Sequence, residues 1–207
     1  MEKMDEKLVQ LLKGAMDIFM RYGIRSVTMD DLARHLSISK KTLYKYVTDK
    51  NDLVAKVFEL HQDLECQTME GIVKRGLNAI DENFEISQMV INQVKDIHPS
   101  IMYDIEKYYP EAMKQFHDYK MDVVMGWVKD NLKRGMAEGY YREDLNIDVI
   151  SVVYIQRMDD FFHSNLYPPQ LSFLDIYLEL FRYHIRGIAS EKGVEYLKEK
   201  VAKENSK

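Results

Sequence analysis

Three residues that commonly begin helices, Thr28, Ser39 and Asp49, follow one another at short spacing near the N-terminus. Acidic residues occupy the first turn after Thr28, where the helix dipole favours negative charge, and Asp52 comes three residues after Asp49. The interval between Thr28 and Ser39 fits one short helix and a turn at residues 37–39. A short helix, a tight turn and a second short helix form a helix-turn-helix, which is what this spacing predicts.

A longer helix is predicted before this motif, and Gly23 ends it. Its apolar residues fall on one stripe of a helix with 3.6 residues per turn: Leu8, Leu11, Leu12, Ala15, Phe19 and Tyr22. The short helices should add their own apolar faces to the same small core: Leu32, Ala33 and Leu36 from the first, Ile38, Leu43 and Val47 from the second.

The rest of the chain also has helical periodicity, and no segment alternates convincingly with the period of a strand. Only four prolines and nine glycines occur among 207 residues, so few positions would break a helix. A helix should start at Asp49, and the later helices are predicted near 77–97, 101–108, 110–137, 147–164 and 171–188, followed by a short C-terminal helix. We therefore expect an all-α fold with an N-terminal domain, 1–48, and a larger C-terminal domain, 49–207, connected by the fourth helix.

Several features bear on the compartment and on a membrane partner. The longest apolar run is far shorter than the ~18–20 residues needed to span a bilayer, and the charged N-terminus lacks the apolar region of a signal peptide. The single cysteine, Cys66, cannot form an internal disulfide. The sequence predicts a cytoplasmic protein that does not associate with a membrane.

The net charge of −5 is unevenly distributed along the chain. Residues 1–60 hold 11 Lys and Arg against 9 Asp and Glu, a net charge of +2, so the remainder carries −7. A local excess of positive charge governs contact with phosphates, and the total does not decide it. The charge distribution is therefore compatible with DNA as a partner of the N-terminal segment.

The second short helix has the side chains of a DNA-reading helix. Its outward positions hold Ser39, Lys40, Lys41, Thr42, Tyr44, Lys45 and Tyr46. Lysines and hydroxyls bind phosphate oxygens, and lysine also donates to guanine edges in the major groove. Thr28 and Lys50 lie at the N-termini of the flanking helices, where free backbone N–H groups favour a phosphate. The alternative is an ordinary solvated face, but the spacing and the caps favour double-stranded DNA.

Residues 15–54, about a fifth of the chain, resemble the DNA-binding domain of TetR-type transcriptional regulators. The shared pattern comprises Gly23, Thr28, Leu32-Ala33, Ser39-x-x-Thr42-Leu43-Tyr44-x-Tyr46 and Lys50-x-x-Leu53. The resemblance implies an all-α homodimer whose C-terminal domain binds a small molecule. It also implies that Thr28, Lys41, Thr42, Tyr44, Tyr46 and Lys50 touch DNA.

Two positions depart from the family pattern. The turn has Ser37 where glycine is usual, and a serine with positive φ is more strained than a glycine. Val47 replaces the usual aromatic residue after the reading helix, which leaves a smaller side chain in a small core. Neither change removes a donor that could contact DNA.

Two apolar stripes predict a homodimer through the last two long helices, arranged as an intermolecular four-helix bundle. The interface residues are Ile150, Tyr154, Met158, Phe161, Phe162, Leu174, Tyr177, Leu178, Phe181 and Ile185. Such a dimer would hold two reading helices about 34 Å or more apart, on a roughly palindromic operator. The alternative is that both stripes pack only within one subunit.

Large, soft side chains between the fourth and eighth helices could line a ligand cavity of the kind that the resemblance implies. We expect an apolar or aromatic effector beside Tyr103, Phe116 and Trp127, which would act by shifting the fourth helix. The alternative is that most of these residues only fill the core.

No other motif points to an enzyme, a cofactor or a metal site. Phosphate-binding loops, GxSxG and HExxH are absent from the sequence. Asp159 and His163 could supply two zinc ligands, but an interhelical hydrogen bond is the favoured interpretation. Cys66 is interpreted as a small apolar side chain. The competing functional hypothesis is a helical sensor or adaptor that acts through protein contacts without DNA; the intact set of lysines and tyrosines favours a ligand-responsive repressor.

Overall fold

All regular elements in the described part of the chain are helices. The computed structural model describes residues 5–95, 97–98, 100–162 and 170–204, apart from the side chains of residues 94, 158–162 and 173. The helices are α1 (Glu6–Tyr22), α2 (Met29–His35), α3 (Lys40–Leu43), α4 (Lys50–Lys74), α5 (Ala79–Val94), α6 (Ile101–Tyr108), α7 (Pro110–Tyr119), α8 (Met125–Ala137), α9 (Ile147–Phe162), α10 (Phe173–Ile188) and α11 (Glu191–Glu204). The predicted all-α fold is confirmed.

The chain divides into two compact units. The first unit contains Met1–Thr68 and Asp96–Tyr119, and the second contains Met69–Lys95 and Lys120–Lys207. The first unit therefore combines the N-terminal helices with most of α4 and with α6 and α7, which come much later in the sequence. The domain boundary after residue 48 remains a prediction.

The core of the first unit joins the helix-turn-helix to α4 and α6. Leu12, Leu32, Leu43, Leu53 and Ile105 are fully buried in one continuous apolar cluster. Burying a leucine or isoleucine side chain contributes about 1.5–3 kcal/mol. Because each helix supplies at least one of these side chains, α2 and α3 cannot be displaced without disturbing contacts with α4 and α6.

The second unit has a separate core between α5, α8 and α10 with a buried polar network at its centre. The Tyr141 hydroxyl donates to the Ala79 carbonyl at 3.0 Å, and Asn131 donates to the Glu82 carboxylate at 2.8 Å. Arg134 forms an ion pair with the same carboxylate. A buried polar group costs free energy unless it is hydrogen-bonded, so this network restricts how α5 and α8 can pack.

Most predicted helices are present, with two differences. The segment predicted as one helix, 110–137, contains a π-helical stretch at Lys120–Val124 between α7 and α8. The reading helix, predicted to reach Tyr46, keeps α-helical geometry only to Leu43 and continues as a turn. None of the helices in the described residues is both long enough and apolar enough to cross a membrane.

Candidate nucleic-acid interface

The start of α2 is fixed by a reciprocal hydrogen-bond pair. Thr28 Oγ1 accepts from the Asp31 N–H at 3.1 Å, and the Asp31 carboxylate accepts from the Thr28 N–H at 3.0 Å. The Thr28 hydroxyl also donates to the Asp31 carboxylate at 2.5 Å, and this bond, together with the one from the Thr28 N–H, holds the pKa of Asp31 below its usual range. The predicted N-cap is therefore confirmed, and Thr28 is exposed at the front of the helix.

The turn between α2 and α3 places Ser37 in the left-handed region, with φ of 53°. The Ile38 N–H donates to the Ala33 carbonyl at 2.9 Å, which closes the turn tightly. The positive φ that would strain a serine at this position is present. This turn sets the direction in which α3 leaves α2.

Helix α3 is held by a cap at its start and by apolar side chains beneath it. Ser39 Oγ accepts from the Thr42 N–H at 3.0 Å and lies 2.9 Å from the Thr42 hydroxyl. Leu43 and Val47 are buried, as predicted, with Val47 only 2% exposed where an aromatic residue was expected from the family pattern. The side chains of Lys40, Lys41, Tyr44 and Lys45 lie on the exposed side of this segment.

The outward face carries exposed donors at three positions. Lys41, Tyr44 and Lys45 are exposed, and Lys41 makes no hydrogen bond or ion pair with any residue that the structure describes. Lys40 instead forms an ion pair with Asp30 at 2.5 Å, which ties α3 to α2. Lys41, Tyr44 and Lys45 are thus the side chains of α3 and its following turn that are best placed to meet DNA.

Two predicted DNA-contacting residues also have structural partners. Tyr46 is half-buried against the core of the first unit. Lys50 Nζ donates to the Val27 carbonyl at 2.5 Å and to the Arg25 carbonyl at 3.4 Å. Burial lowers the pKa of Lys50, an effect that the charges of Asp104 and Asp31 oppose. Lys50 therefore braces the loop before α2, and a phosphate would compete with these carbonyls for its ammonium group.

The loop that joins α1 to α2 is also bound from α6, which the sequence did not predict. Asp104, 4% exposed, accepts from the Arg25 N–H at 2.9 Å. The guanidinium of Arg25 lies 4.4 Å above the Tyr108 ring. The one sequence signal was an acidic residue between the apolar positions Ile101 and Ile105, and it gave no indication of its partner.

The three residues predicted to bind a ligand lie in different surroundings. Tyr103 is 53% exposed, and its hydroxyl accepts from Lys107 Nζ at 2.6 Å. Phe116 is half-buried in the first unit and packs edge to face against Phe58, with ring centres 6.4 Å apart. Trp127 is half-buried and belongs to the second unit.

A polar cluster in the first unit lies between α4 and α7. The Tyr119 hydroxyl hydrogen-bonds to the Glu65 carboxyl group. Burial raises the pKa of Glu65 and lowers the pKa of His61. Cys66 Sγ lies 3.7 Å from the Tyr119 hydroxyl. Cys66 is thus a half-buried thiol with a polar neighbour rather than a purely apolar contact. The sequence indicated the individual residues but not their association.

The predicted dimer face divides into buried and exposed residues. Tyr177 and Ile185 lie inside the subunit, and Phe181 packs edge to face against Phe84 at 5.2 Å, so these three support the face from beneath. Ile150, Tyr154 and Leu178 are half-buried and Leu174 is exposed, whereas Met158, Phe161 and Phe162 have side chains outside the described residues. An open groove of about 610 Å³ runs between α9 and α10.

The exposed apolar surface of this face extends beyond the predicted interface residues. Val149, Val152 and Val153 of α9 are 41–54% exposed, and Tyr183 of α10 is 69% exposed. Helical spacing places the three valines on one side of α9. Exposure of neighbouring valines is unfavourable in water, and it marks this side of α9 as a surface that a partner could cover.

The metal hypothesis has no support in the described chain. Within the described ranges, no group of three or more His, Cys, Asp or Glu side chains could hold a metal ion. The proposed pair of Asp159 and His163 lies outside the residues whose side chains are described.

Comparison with known proteins gives one family match and a set of similar folds. Residues 11–57 match the model of the family described as bacterial regulatory proteins, tetR family. KstR2 of Mycobacterium tuberculosis, an HTH-type transcriptional repressor, is 24% identical over 145 residues, covering 68% of this chain and 72% of KstR2.

Two solved structures illustrate the common fold. The structure of the ketosteroid transcriptional regulator KstR2 has a TM-score of 0.54 at 20% identity, over 91% of this chain and 98% of that chain. A transcriptional regulator from Saccharomonospora viridis, solved in complex with choline, has a TM-score of 0.74 at 15% identity, over 90% and 99%. The two likenesses extend the shared helical fold well beyond residues 11–57.

Proposed function

We propose that this chain, which belongs to the TetR family of DNA-binding transcriptional regulators, is a repressor. It binds a roughly palindromic operator as a homodimer and leaves the operator when a small ligand binds. Its relatives are regulators, and the chain is not an enzyme. The observation that carries the proposal is the exposed set Lys41, Tyr44 and Lys45 on a segment whose opposite side is anchored in the core.

DNA recognition follows from this anchoring. In a helix-turn-helix the second helix enters the major groove with its N-terminal residues near base edges. Lys41, in the first turn of α3, is the side chain best placed for a base or a phosphate, whereas Tyr44 and Lys45 lie one turn later. Thr28, at the exposed start of α2, would meet the backbone at the groove edge, and Ser39 and Thr42 support α3 locally.

A homodimer accounts for two half-sites on one operator. The exposed valines of α9 provide an apolar surface beside the groove between α9 and α10, and a second copy would add the same two helices. Two-fold symmetry of the protein then requires approximate two-fold symmetry of the operator.

The ligand part of the proposal rests on the first unit. The aromatic pair of Phe58 and Phe116 lies between α4 and α7, and the hydrogen-bonded Glu65 and Tyr119 place polar groups on the same two helices. An apolar or aromatic molecule with one polar group fits such a surface. Because α4 begins at Lys50, which holds the loop before α2, a displacement of α4 would reach the DNA-binding face.

DNA binding is tested with a fluorescently labelled duplex from the region upstream of the protein's own gene, and with a scrambled duplex of equal length. The proposal expects at least ~10³-fold tighter binding to one upstream site, as is typical of specific recognition. Equal affinity for both duplexes over the whole upstream region would refute autoregulation through this site, and a genome-wide selection of bound fragments would then decide whether an operator exists elsewhere.

Ligand release is tested by titrating hydrophobic compounds into the protein–operator complex. Trp127 is the only tryptophan, so its fluorescence reports on the protein while labelled DNA reports on release. We expect Phe116→Ala to weaken the effect of an active compound at least about tenfold. If the variant leaves the potency of every releasing compound unchanged, the proposed surface is not the ligand site.

A further inference from the structure

The loop that joins α1 to α2 is bound from two sides by oppositely charged groups. The Arg25 N–H donates to the Asp104 carboxylate at 2.9 Å, and the Arg25 carbonyl accepts from Lys50 Nζ at 3.4 Å. Lys50 also bonds to the Val27 carbonyl, one residue before Thr28. The backbone that leads into α2 is therefore fixed by α4 on one side and by α6 on the other.

The contact with α6 is buried and supported by further hydrogen bonds. Asp104 is 4% exposed, and the Ser100 hydroxyl donates to its carboxylate at 3.2 Å. The Ser100 N–H donates to His98 Nδ1, and the His98 N–H donates to the Met20 carbonyl at 2.8 Å. Two donors therefore reach Asp104 Oδ2, which offsets part of the cost of burying the carboxyl group.

The close approach of these groups also explains a glycine. Gly23 has φ of 80°, and a Cβ atom there would lie 2.6 Å from Ser100 Oγ and 3.6 Å from Asp104 Oδ2. No side chain fits at residue 23 while α6 stays in place. Gly23 therefore does more than end α1, because it lets the start of α6 reach the loop.

We propose that Asp104 is a positioning residue for DNA recognition: its carboxylate fixes the Arg25 peptide, and through it the start of α2, so that α6 helps to set the DNA-binding face. The inference rests on the DNA binding argued above and goes beyond the contacts of α2 and α3. It also gives α6 a direct connection to the interface, additional to that of α4.

The direction in which operator affinity changes in the Asp104 variants distinguishes a positioning role from a purely electrostatic one. Removing a negative charge from a DNA-binding protein strengthens its attraction to DNA when only the charge matters. Asp104→Leu removes the charge and the acceptor together, so a positioning role predicts weaker operator binding. Asp104→Asn removes the charge but keeps an oxygen that can accept from the Arg25 N–H, so a positioning role predicts that it binds normally.

The test measures operator affinity for the full-length wild type, both Asp104 variants and Glu111→Leu, a control that removes an exposed charge from α7. Active concentrations are fixed by stoichiometric titration, so that a merely destabilised variant is corrected for its unfolded fraction. We expect Asp104→Leu to bind about tenfold more weakly, the effect of about one hydrogen bond to a charged group, with Asp104→Asn and Glu111→Leu within about twofold of the wild type. The salt dependence should stay unchanged, because no phosphate contact is lost.

A second measurement does not depend on the folding of a variant. In the wild type, the Arg25 amide should exchange with deuterium at least about tenfold more slowly than the Ser26 amide after correction for intrinsic rates. Equal exchange at the two amides, or normal operator binding by folded Asp104→Leu, would overturn the positioning role. Failure of the wild type itself to bind any operator would instead refute the proposed function.

Discussion

Asp104 accepts a hydrogen bond from the backbone N–H of Arg25, 79 residues earlier in the chain. Ile101 and Ile105 of the same helix also pack in the apolar core of the helix-turn-helix. A displacement of α6 would therefore move the Arg25 peptide group, which lies in the loop before α2.

Ser37→Gly should stabilise the protein. Ser37 has φ of 53°, a conformation that disfavours residues with a side chain by about 1–2 kcal/mol relative to glycine. Glycine loses more backbone entropy on folding, so we expect a net gain of about 0.5–1 kcal/mol in the free energy of unfolding, measured by urea denaturation. Ser190→Gly, a change outside the turn, should not stabilise. A lower free energy of unfolding for Ser37→Gly would show that the serine contributes a favourable interaction in this turn.

Lys50→Met should destabilise the first unit through the loss of its hydrogen bonds to the loop carbonyls. The variant keeps the length of the side chain but leaves the Val27 carbonyl without its ammonium donor. We expect a loss of about 1–2 kcal/mol in the free energy of unfolding. Lys50 was also predicted from the sequence to contact phosphate. If it does, the slope of the logarithm of the DNA association constant against the logarithm of the salt concentration should decrease in magnitude by about one in the variant. An unchanged stability and an unchanged slope would exclude both roles.

Val153→Glu should prevent dimer formation. Val153 is 43% exposed on α9, and a charged side chain buried in a dimer interface without a partner is strongly unfavourable. We expect at least ~100-fold weaker self-association, seen as a monomer by light scattering at a concentration where the wild type is dimeric. Val73→Glu, at a similarly exposed valine of α4, is the matched control and should stay dimeric. A dimer of unchanged mass for Val153→Glu would place the interface elsewhere.

Phe181 is a poorer site for this test, although it belongs to the predicted interface. Its ring packs edge to face against Phe84 within the same subunit. A glutamate there would disrupt the core of the second unit as well as any dimer. Loss of the dimer in that variant would therefore not identify the interface.

Acidification should destabilise the protein through His184. Burial lowers the pKa of His184 to about 4, from an ordinary value of about 6.5. The folded state therefore binds fewer protons than the unfolded state between these values, and stability falls as the pH falls. From pH 7 to pH 5 we expect a loss of about 1–2 kcal/mol, measured by denaturation at each pH. Burial shifts His61 in the same direction, so His184→Phe should remove only part of the dependence. An unchanged pH dependence in His184→Phe would show that this imidazole does not titrate as a buried group.

Aromatic and charged side chains surround His184. Its ring faces Tyr154, with centres 4.6 Å apart, and Arg157, Arg182, Arg186 and Glu179 line the same groove. The phenylalanine of the variant keeps an aromatic contact with Tyr154 while it removes the titrating nitrogen atoms.

The sequence was most informative where structure is local. The caps Thr28 and Ser39, the stop at Gly23 and the strained turn at Ser37 depend on neighbouring residues, and all were predicted. The contact between Asp104 and Arg25 could not be predicted, because nothing in either segment specifies a partner 79 residues away.

Periodicity also has limits when one helix has two apolar neighbours. The stripe containing Tyr177 and Ile185 was correctly identified as apolar, but periodicity does not distinguish the core of the same subunit from a second copy. Burial makes that distinction, because it places these two residues inside the subunit and leaves Val149, Val152 and Val153 outside.

The most direct test of the account is the operator affinity of Lys41→Ala, measured with a series of single base-pair changes and over a range of salt concentrations. Lys41 is exposed and unpaired among the described residues, so its replacement should leave the fold intact. Lys198→Ala, at a lysine of α11 whose side chain is 66% exposed, is the control and should behave as the wild type. The account predicts that Lys41→Ala loses about 1–3 kcal/mol and relaxes the preference at one base pair. Unchanged affinity, base preference and salt dependence would contradict the claim that this face reads DNA.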